Sequence, residues 1–195
     1  MASSVVLASG NGTNFEAIAK RLADSPHRIE AVICDRDGAP VLDRARALEI
    51  ETVMLDYSAG RTMAEKQLYE ILLRLRPDYV FLAGFMRIVP SYIVDAFDHR
   101  IVNIHPALLP RYRGLNAIER AYSAGDTTIG ITVHYVDAGV DTGEIIQQCS
   151  LQRGPNESLE EIECRIHELE HQLFPEVALR LLDSVSTSHL SGAIR

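Results

Sequence analysis

The chain has 195 residues and a formal net charge of −8, with 47% hydrophobic and 24% charged residues. A chain of this size buries about 70% of its unfolded surface and carries a full core without disulfides, so a disordered chain, a collagen and a cysteine-stapled scaffold are excluded. The acidic balance speaks against nucleic-acid binding, which wants a basic face, and no apolar run is long enough for a membrane span.

The predicted elements alternate strand and helix. Val5–Ser9 is an apolar run that ends at Gly10. Phe15, Ile18, Ala19 and Leu22 form a helical stripe through Ala23. Ile29–Cys34 reads as a strand, Val41–Leu48 as a helix started by Pro40, and Thr52–Leu55 as a third strand. Met63–Leu75 is helical, Tyr79–Ala83 is a strand ending at Gly84, Ser91–Phe97 a short helix and Ile101–Ile104 a buried strand. This rhythm predicts an α/β fold: a Rossmann-like, mostly parallel central sheet flanked by helices. Beyond residue 105 the rhythm changes. Pro106, Pro110 and Gly114 mark a long loop, followed by a helix near Ala117–Ala124 and strands at Thr128–Val136 and Ile145–Leu151. Ser158 and Glu161 form a capping box for a last helix reaching about Leu182, disturbed at Pro175, with a fraying Ser-rich tail after it. Cys34, Cys149 and Cys164 are far apart and odd in number, which reads as reduced thiols in a cytoplasmic chain. Met1–Ser4 lacks the basic start of a secretory leader.

In an open α/β sheet, ligands bind beyond the carboxyl ends of the strands. Ser9-Gly10-Asn11-Gly12-Thr13-Asn14 occupies that position after the first strand, where a helix N-terminus offers N–H groups to a phosphate or carboxylate. It completes neither a dinucleotide fingerprint nor a P-loop; the plainer reading is a tight turn with a Thr or Asn cap. Asn103-Ile104-His105-Pro106 ends a buried strand. Period two puts Asn103 and His105 on one face, where an amide and an imidazole can donate to an oxyanion or move a proton. The Gly-rich stretch from Asp137 to Glu144 brings Asp141, a carboxylate able to hold an imidazole cationic or order a water. The alternatives are a core histidine and a solvated turn, and His134 is read as structural. His167-Glu168-Leu169-Glu170-His171 matches H-E-x-x-H, but Pro175 follows within a turn and no third ligand is evident, so no metal is expected.

Together these segments resemble the folate-dependent formyltransferases. The resemblance runs from Val5 to about Leu182. It rests on Leu7–Asn14, on Ala83-Gly84-Phe85-Met86-Arg87-Ile88, on Asn103–Pro110, on Val140-Asp141-Thr142-Gly143 and on Glu170–Pro175. The opening loop and Glu170-His171 favour the branch whose acceptor is glycinamide ribonucleotide (GAR). The resemblance implies a catalytic trio of Asn103, His105 and Asp141, with protonated His105 and Asn103 donating to a tetrahedral oxyanion. It implies an acceptor site at Gly12, Thr13, Asn14 and Glu170. The site for 10-formyltetrahydrofolate would comprise Arg61, Met86, Arg87, Ile88, Val89 and Val140. It further implies a single domain over residues 1–195, with a nucleotide-type half to about 100, a folate and catalytic half to about 183 and a tail from 184. A homodimer through a helix or edge strand is left open. Arg113, Asn116 and Ile118 depart from the Pro-Gly-Leu-His-x-His usual in the GAR branch, and the Arg-Tyr-Arg-Gly stretch is reminiscent of sugar and tRNA formyltransferases. The rival readings are a sugar-nucleotide N-formyltransferase, a non-catalytic nucleotide-binding module and a zinc hydrolase.

Overall fold

The computed structural model describes the backbone of residues 1–192 and the side chains of residues 1–187. Its elements are β1 (Ser3–Ala8), α1 (Thr13–Leu22), β2 (Arg28–Cys34), α2 (Pro40–Ala47), β3 (Glu51–Met54), α3 (Arg61–Leu75) and β4 (Tyr79–Leu82). Then come α4 (Ser91–Ala96), β5 (Ile101–His105), α5 (Ala117–Ser123), β6 (Thr128–Tyr135), β7 (Ile145–Gln152) and α6 (Leu159–Gly192). One seven-stranded sheet runs in the order β3-β2-β1-β4-β5-β6-β7. Pairings from β3 through β5 are parallel, and the β5–β6 and β6–β7 pairings are antiparallel. The predicted mostly parallel sheet is therefore present, with an antiparallel extension on one side.

Alternation along the central strands feeds two cores. Val6 and Ala8 of β1 and Tyr79 and Phe81 of β4 pack with α1, α2 and α6, through Phe15, Ile18, Val41 and Phe174. Val5, Leu7, Val80 and Leu82 face the other way, onto Leu68, Leu72, Ile93 and Phe97 of the α3–α4 side. Strands buried on both faces read as unbroken apolar runs, which is why they stand out in the sequence. Ile101 belongs to the α3–α4 side while Val102 and Ile104 belong to the other. Period two therefore turns Asn103 and His105 to the side of Ile101. Strand order reverses between β1 and β4, and the loops that follow them touch: Ser9 N–H donates to Gly84 O (3.1 Å) and Met86 N–H to Ser9 Oγ (2.9 Å).

The last helix departs from expectation. Its capping box forms as read, with Ser158 N–H donating to Glu161 Oε2 (2.8 Å) and Glu161 N–H to Ser158 Oγ (3.3 Å). Instead of fraying after Leu182, α6 continues to Gly192 with Pro175 inside it. Proline removes one donor from the helix ladder, but Phe174, Val177 and Ala178 beside it are fully buried and hold the helix on the sheet. Farther on, the hydroxyls that suggested a polar tail bond back to the preceding turn, Ser184 Oγ to Leu181 O (2.6 Å) and Thr187 Oγ1 to Ser184 O (2.8 Å). Residues 193–195 of the expected tail lie outside the described residues. Among the described residues no helix is long and apolar enough to cross a membrane.

Candidate active site

Strand β5 ends in the predicted pair, and the structure adds the carboxylate. Asn103 Nδ2 donates to Asp141 Oδ1 (3.4 Å) and to His134 Nε2 (3.2 Å), and His105 Nδ1 lies 3.3 Å from Asp141 Oδ2. Asp141 comes from the 136–144 loop, closed at its base where Tyr135 N–H donates to Glu144 O (2.9 Å). Asp137 Oδ1 braces the loop from inside, accepting from Gly139 N–H (2.9 Å) and Thr142 Oγ1 (2.6 Å). A Cβ on Gly143 would run into the Tyr135 carbonyl, so no other residue fits that turn unchanged. Asp141 itself sits at φ 51°, the left-handed region that Asp tolerates better than most residues.

Asp141 is a hub. Gly114 N–H donates to its Oδ2 (2.8 Å), and His134 Nε2 lies 3.5 Å from its Oδ1. Burial pushes this carboxyl up, but the neighbouring His134 ring and the Gly114 amide, with the pull of His105, outweigh it and hold the pKa at about 2. His105 is also buried. Its Nε2–H donates to the carbonyl of Tyr112 (2.9 Å). Burial pushes its pKa below the ordinary histidine value, against the upward pulls of Asp141, the Tyr112 carbonyl and Glu170. Asp141 thus favours the cationic imidazole, and burial opposes it more strongly.

The predicted acceptor residues also meet. Gly12 caps α1 at φ 75° with no side chain bonding the helix end, replacing the expected Thr or Asn cap. A Cβ there would come within 2.8 Å of Val41 Cα, so the loop and the start of α2 pack as close as a glycine allows. Asn14 Nδ2 donates to Glu170 Oε2 (3.0 Å), joining α1 to α6, and His167 Nδ1 contacts the same oxygen (3.0 Å). Glu170 is 5% exposed, and its carboxylate is felt by His105. Asn14 Oδ1 and His171 Nε2 are buried without a partner in this corner.

A cleft of about 420 Å³ opens onto Asn103, His105, His134 and Asp141. Of the residues expected at a folate site, Met86, Arg87, Ile88 and Val140 line it, together with Leu115. Arg87 is held by Asp35 (Nε to Oδ2, 2.6 Å) and lies over the Tyr57 ring at 4.3 Å. Two predicted members of this group do not line the cleft. Val89 is buried at 7% exposure in the α3–α4 core. Arg61, in the first turn of α3, is paired with Glu65 one turn on.

The profile of the Formyl transferase family matches residues 2–178. The chain is 41% identical over 181 residues to phosphoribosylglycinamide formyltransferase of Bacillus subtilis, covering 91% of this chain and 93% of that protein. The chain belongs to the formyl transferase family. The Haemophilus influenzae phosphoribosylglycinamide formyltransferase is 38% identical, with 93% of this chain and 91% of that protein covered. The crystal structure of glycinamide ribonucleotide transformylase 1 from Geobacillus kaustophilus superposes with a TM-score of 0.89 at 39% identity, covering 93% of this chain and 99% of that one.

Sequence reasoning missed three parts of this formyl transferase's site. His134, read as structural, faces Asn103 across the β5–β6 pairing and touches Asp141. Its Nδ1–H donates to Tyr135 O (2.7 Å), leaving Nε2 to accept from Asn103. The Tyr112 carbonyl and the Gly114 amide are backbone groups, which leave no residue-type signal. The H-E-x-x-H stretch resolves into the His167–Glu170 contact, and no group of three potential metal ligands occurs among the described residues.

Proposed function

We propose that this formyl transferase moves the formyl group of 10-formyltetrahydrofolate to the amine of GAR, giving formyl-GAR and tetrahydrofolate in purine synthesis. The observation that carries the reading is the convergence of Asn103, His105 and Asp141 on one wall of a cleft, with the Asn14–Glu170 corner within electrostatic reach of His105. The relatives near 40% identity that bear the GAR enzyme's name support the acceptor. The folate donor fits the cleft mouth: Met86, Ile88, Leu115 and Val140 keep 59%, 61%, 77% and 49% of their surface in water, an apolar rim suited to a flat, partly apolar ligand. When bound, that donor supplies a formyl carbon attached to a nitrogen leaving group.

The chain's residues then divide the work. The amine nitrogen bonds to the formyl carbon, the bond from that carbon to the donor nitrogen breaks, and one amine proton ends on that nitrogen. His105 is suited to take the proton and pass it on, with the ionised Asp141 carboxylate 3.3 Å from its Nδ1. The Asn103 amide is the donor for the oxygen that becomes negative in between. Its present bonds at 3.2 and 3.4 Å are long enough to be given up cheaply. Gly12, Thr13 and Asn14 take the acceptor's phosphate at the uncapped α1 terminus, and Glu170 faces its amine end. The same reading treats residues 1–195 as one formyltransferase domain.

The test is a formyl-transfer assay with a 10-formylfolate whose deformylation changes absorbance, run with GAR, with an amino sugar nucleotide and with no acceptor. A signal dependent on GAR is expected. A signal with the sugar nucleotide alone would move the acceptor to the sugar class, and silence in every arm would return the chain to a nucleotide-binding module.

A further inference from the structure

The loop after β5 touches His105 and Asp141 through its backbone, at the Tyr112 carbonyl and the Gly114 amide, and the question is what holds that backbone in place. Tyr112 sits at φ 55° and Asn116 at φ 55°. A bulky residue in the left-handed region is strained and stays there only when its surroundings over-determine it. This turn aims the Tyr112 carbonyl at His105 and brings the Gly114 N–H to Asp141. Tyr112 packs against the core, but a cavity of about 120 Å³, lined also by Ala107, Leu108, Ala121 and Ile129, adjoins it, so packing alone does not fix the turn.

The constraint is polar. Asp126, just past α5, is buried to 15% side-chain exposure and accepts three bonds. Two come from the Arg111 fork, Nη2 to Oδ1 and Nη1 to Oδ2, both at 2.9 Å, and one from the Tyr112 hydroxyl to Oδ2 at 2.9 Å. A two-pronged arginine–carboxylate pair fixes direction as well as distance. From α5, Arg120 Nη1 donates to the carbonyls of Arg113 (2.7 Å) and Leu115 (3.4 Å), on either side of Gly114. The Arg111 and Arg120 guanidinium carbons lie 4.9 and 5.6 Å from the Tyr112 ring centre. Arg111 and Arg120 are therefore tied to the same five-residue turn that carries both backbone contacts.

We propose that Asp126, Arg111 and Arg120 form a latch of positioning residues that holds the Tyr112 carbonyl on His105 and the Gly114 amide on Asp141. None of the three touches a reacting group; they act through the turn. The inference rests on the catalytic reading of His105 and Asp141. The groups that bear on His105 are Asp141, His134, Glu170 and the Tyr112 carbonyl, and the latch governs the last of these directly and Asp141 through Gly114. Removing the carbonyl also removes one of the influences that hold the His105 pKa up, so an opened latch lowers it further.

The test uses the full chain with Asp126→Asn, Arg120→Gln and Tyr112→Phe, the last of which keeps the carbonyl and loses only the hydroxyl. The His105 Nε2–H resonance is followed by proton–nitrogen NMR, beside steady-state formyl transfer and thermal melting. Asp126→Asn is expected to move that resonance away from its hydrogen-bonded position and to shift the His105 titration to lower pH. It should lower kcat by about ten- to a hundredfold, the scale of a misplacement far from the chemistry, with both KM values within about threefold. Arg120→Gln and Tyr112→Phe should move the same readouts less. A lower melting temperature with resonance, titration and kcat unchanged in the folded variants would overturn the latch and leave Asp126 a stabilising residue alone. If the unmodified chain transferred no formyl group to GAR, the functional reading would fail, while the His105 resonance and titration would still decide the latch.

Discussion

Asp141→Asn isolates the charge at the centre of the site. The amide keeps the size of the side chain and an oxygen for the Gly114 N–H, but it cannot ionise. In the folded chain the Asp141 carboxyl titrates at about 2, against 3.8 for an unperturbed aspartate. At about 1.4 kcal/mol per pKa unit, that difference stabilises the native state by about 2–3 kcal/mol at neutral pH. The side chain is only 13% exposed, so solvent screening takes little away. Because the folded value lies below the unfolded one, this stabilisation is fully present above pH 3.8 and is lost as pH falls through about 2. Urea titrations of the two proteins at several pH values should therefore show the variant less stable by about 2–3 kcal/mol at pH 7, with roughly half of that gap gone near pH 3. Since Asp141 also holds the His105 pKa up, the acid limb of the variant's kcat/KM profile should move to lower pH, and turnover should fall about a hundredfold or more. A stability gap that keeps its size from pH 7 to pH 3 would refute the electrostatic account and leave only packing to explain it.

Other changes test the rest of the site. His105→Gln should cut kcat by about 10²–10³. Burial lowers the His105 pKa, so its contribution to stability is present above the ordinary histidine value and is lost as pH falls through the lowered one; acid melts of His105→Gln should accordingly be flatter than those of the unmodified chain. Gly12→Ala meets both a φ of 75° and the wall of Val41, and should cost about 1–3 kcal/mol in urea titrations and raise the KM for the acceptor alone. Glu170→Gln keeps the volume between Asn14 and His167 and removes the charge. Its KM for GAR should rise about tenfold with the folate KM unchanged, and a loss in the folate KM instead would put Glu170 on the wrong substrate.

The parts of the molecule legible in the sequence are those where one residue type answers to one local rule. The doubly buried strands betray themselves as unbroken apolar runs, and period two pairs Asn103 with His105 without any tertiary information. The first loop is legible as a tight turn at a helix start, but its cap is not: Gly12 takes the place expected of Thr or Asn, because only glycine tolerates both that φ and Val41. His134 fails the same treatment. Its partner Asn103 is settled by the register between strands separated by a long loop and a helix, and register over that distance is not a local property. Val89 and Arg61 lie off the cleft lining for a different reason. A short stretch such as Met86–Val89 does not reveal which side chain turns into the core, and an exposed arginine does not reveal that a glutamate one turn on will engage it. The extent of α6 fails because Ser and Thr weaken a helix but do not stop one when their hydroxyls fold back on its carbonyls.

The change from parallel to antiparallel pairing at β5 explains why the site stands there. The parallel half brings the loops after β1 and β4 together at one edge, and these supply a helix terminus, an arginine and an apolar rim. None of them supplies a carboxylate beside His105. That requires the chain to reverse. Strand β6 runs back along β5, placing His134 opposite Asn103, and the 136–144 loop then turns out and over the strand face, so that Asp141 reaches Asn103 and His105 from above the sheet. The acid and the amide–imidazole pair thus come from segments with different constraints, a buried strand and a loop shaped by Gly139, Gly143 and Asp137. The loop between β5 and α5 meets His105 and Asp141 with backbone groups and adds Leu115 to the rim. Its Arg111 and Tyr112 side chains bond Asp126 instead, so the contacts to His105 and Asp141 do not depend on the residue types at 112 and 114, provided the turn at Tyr112 is held.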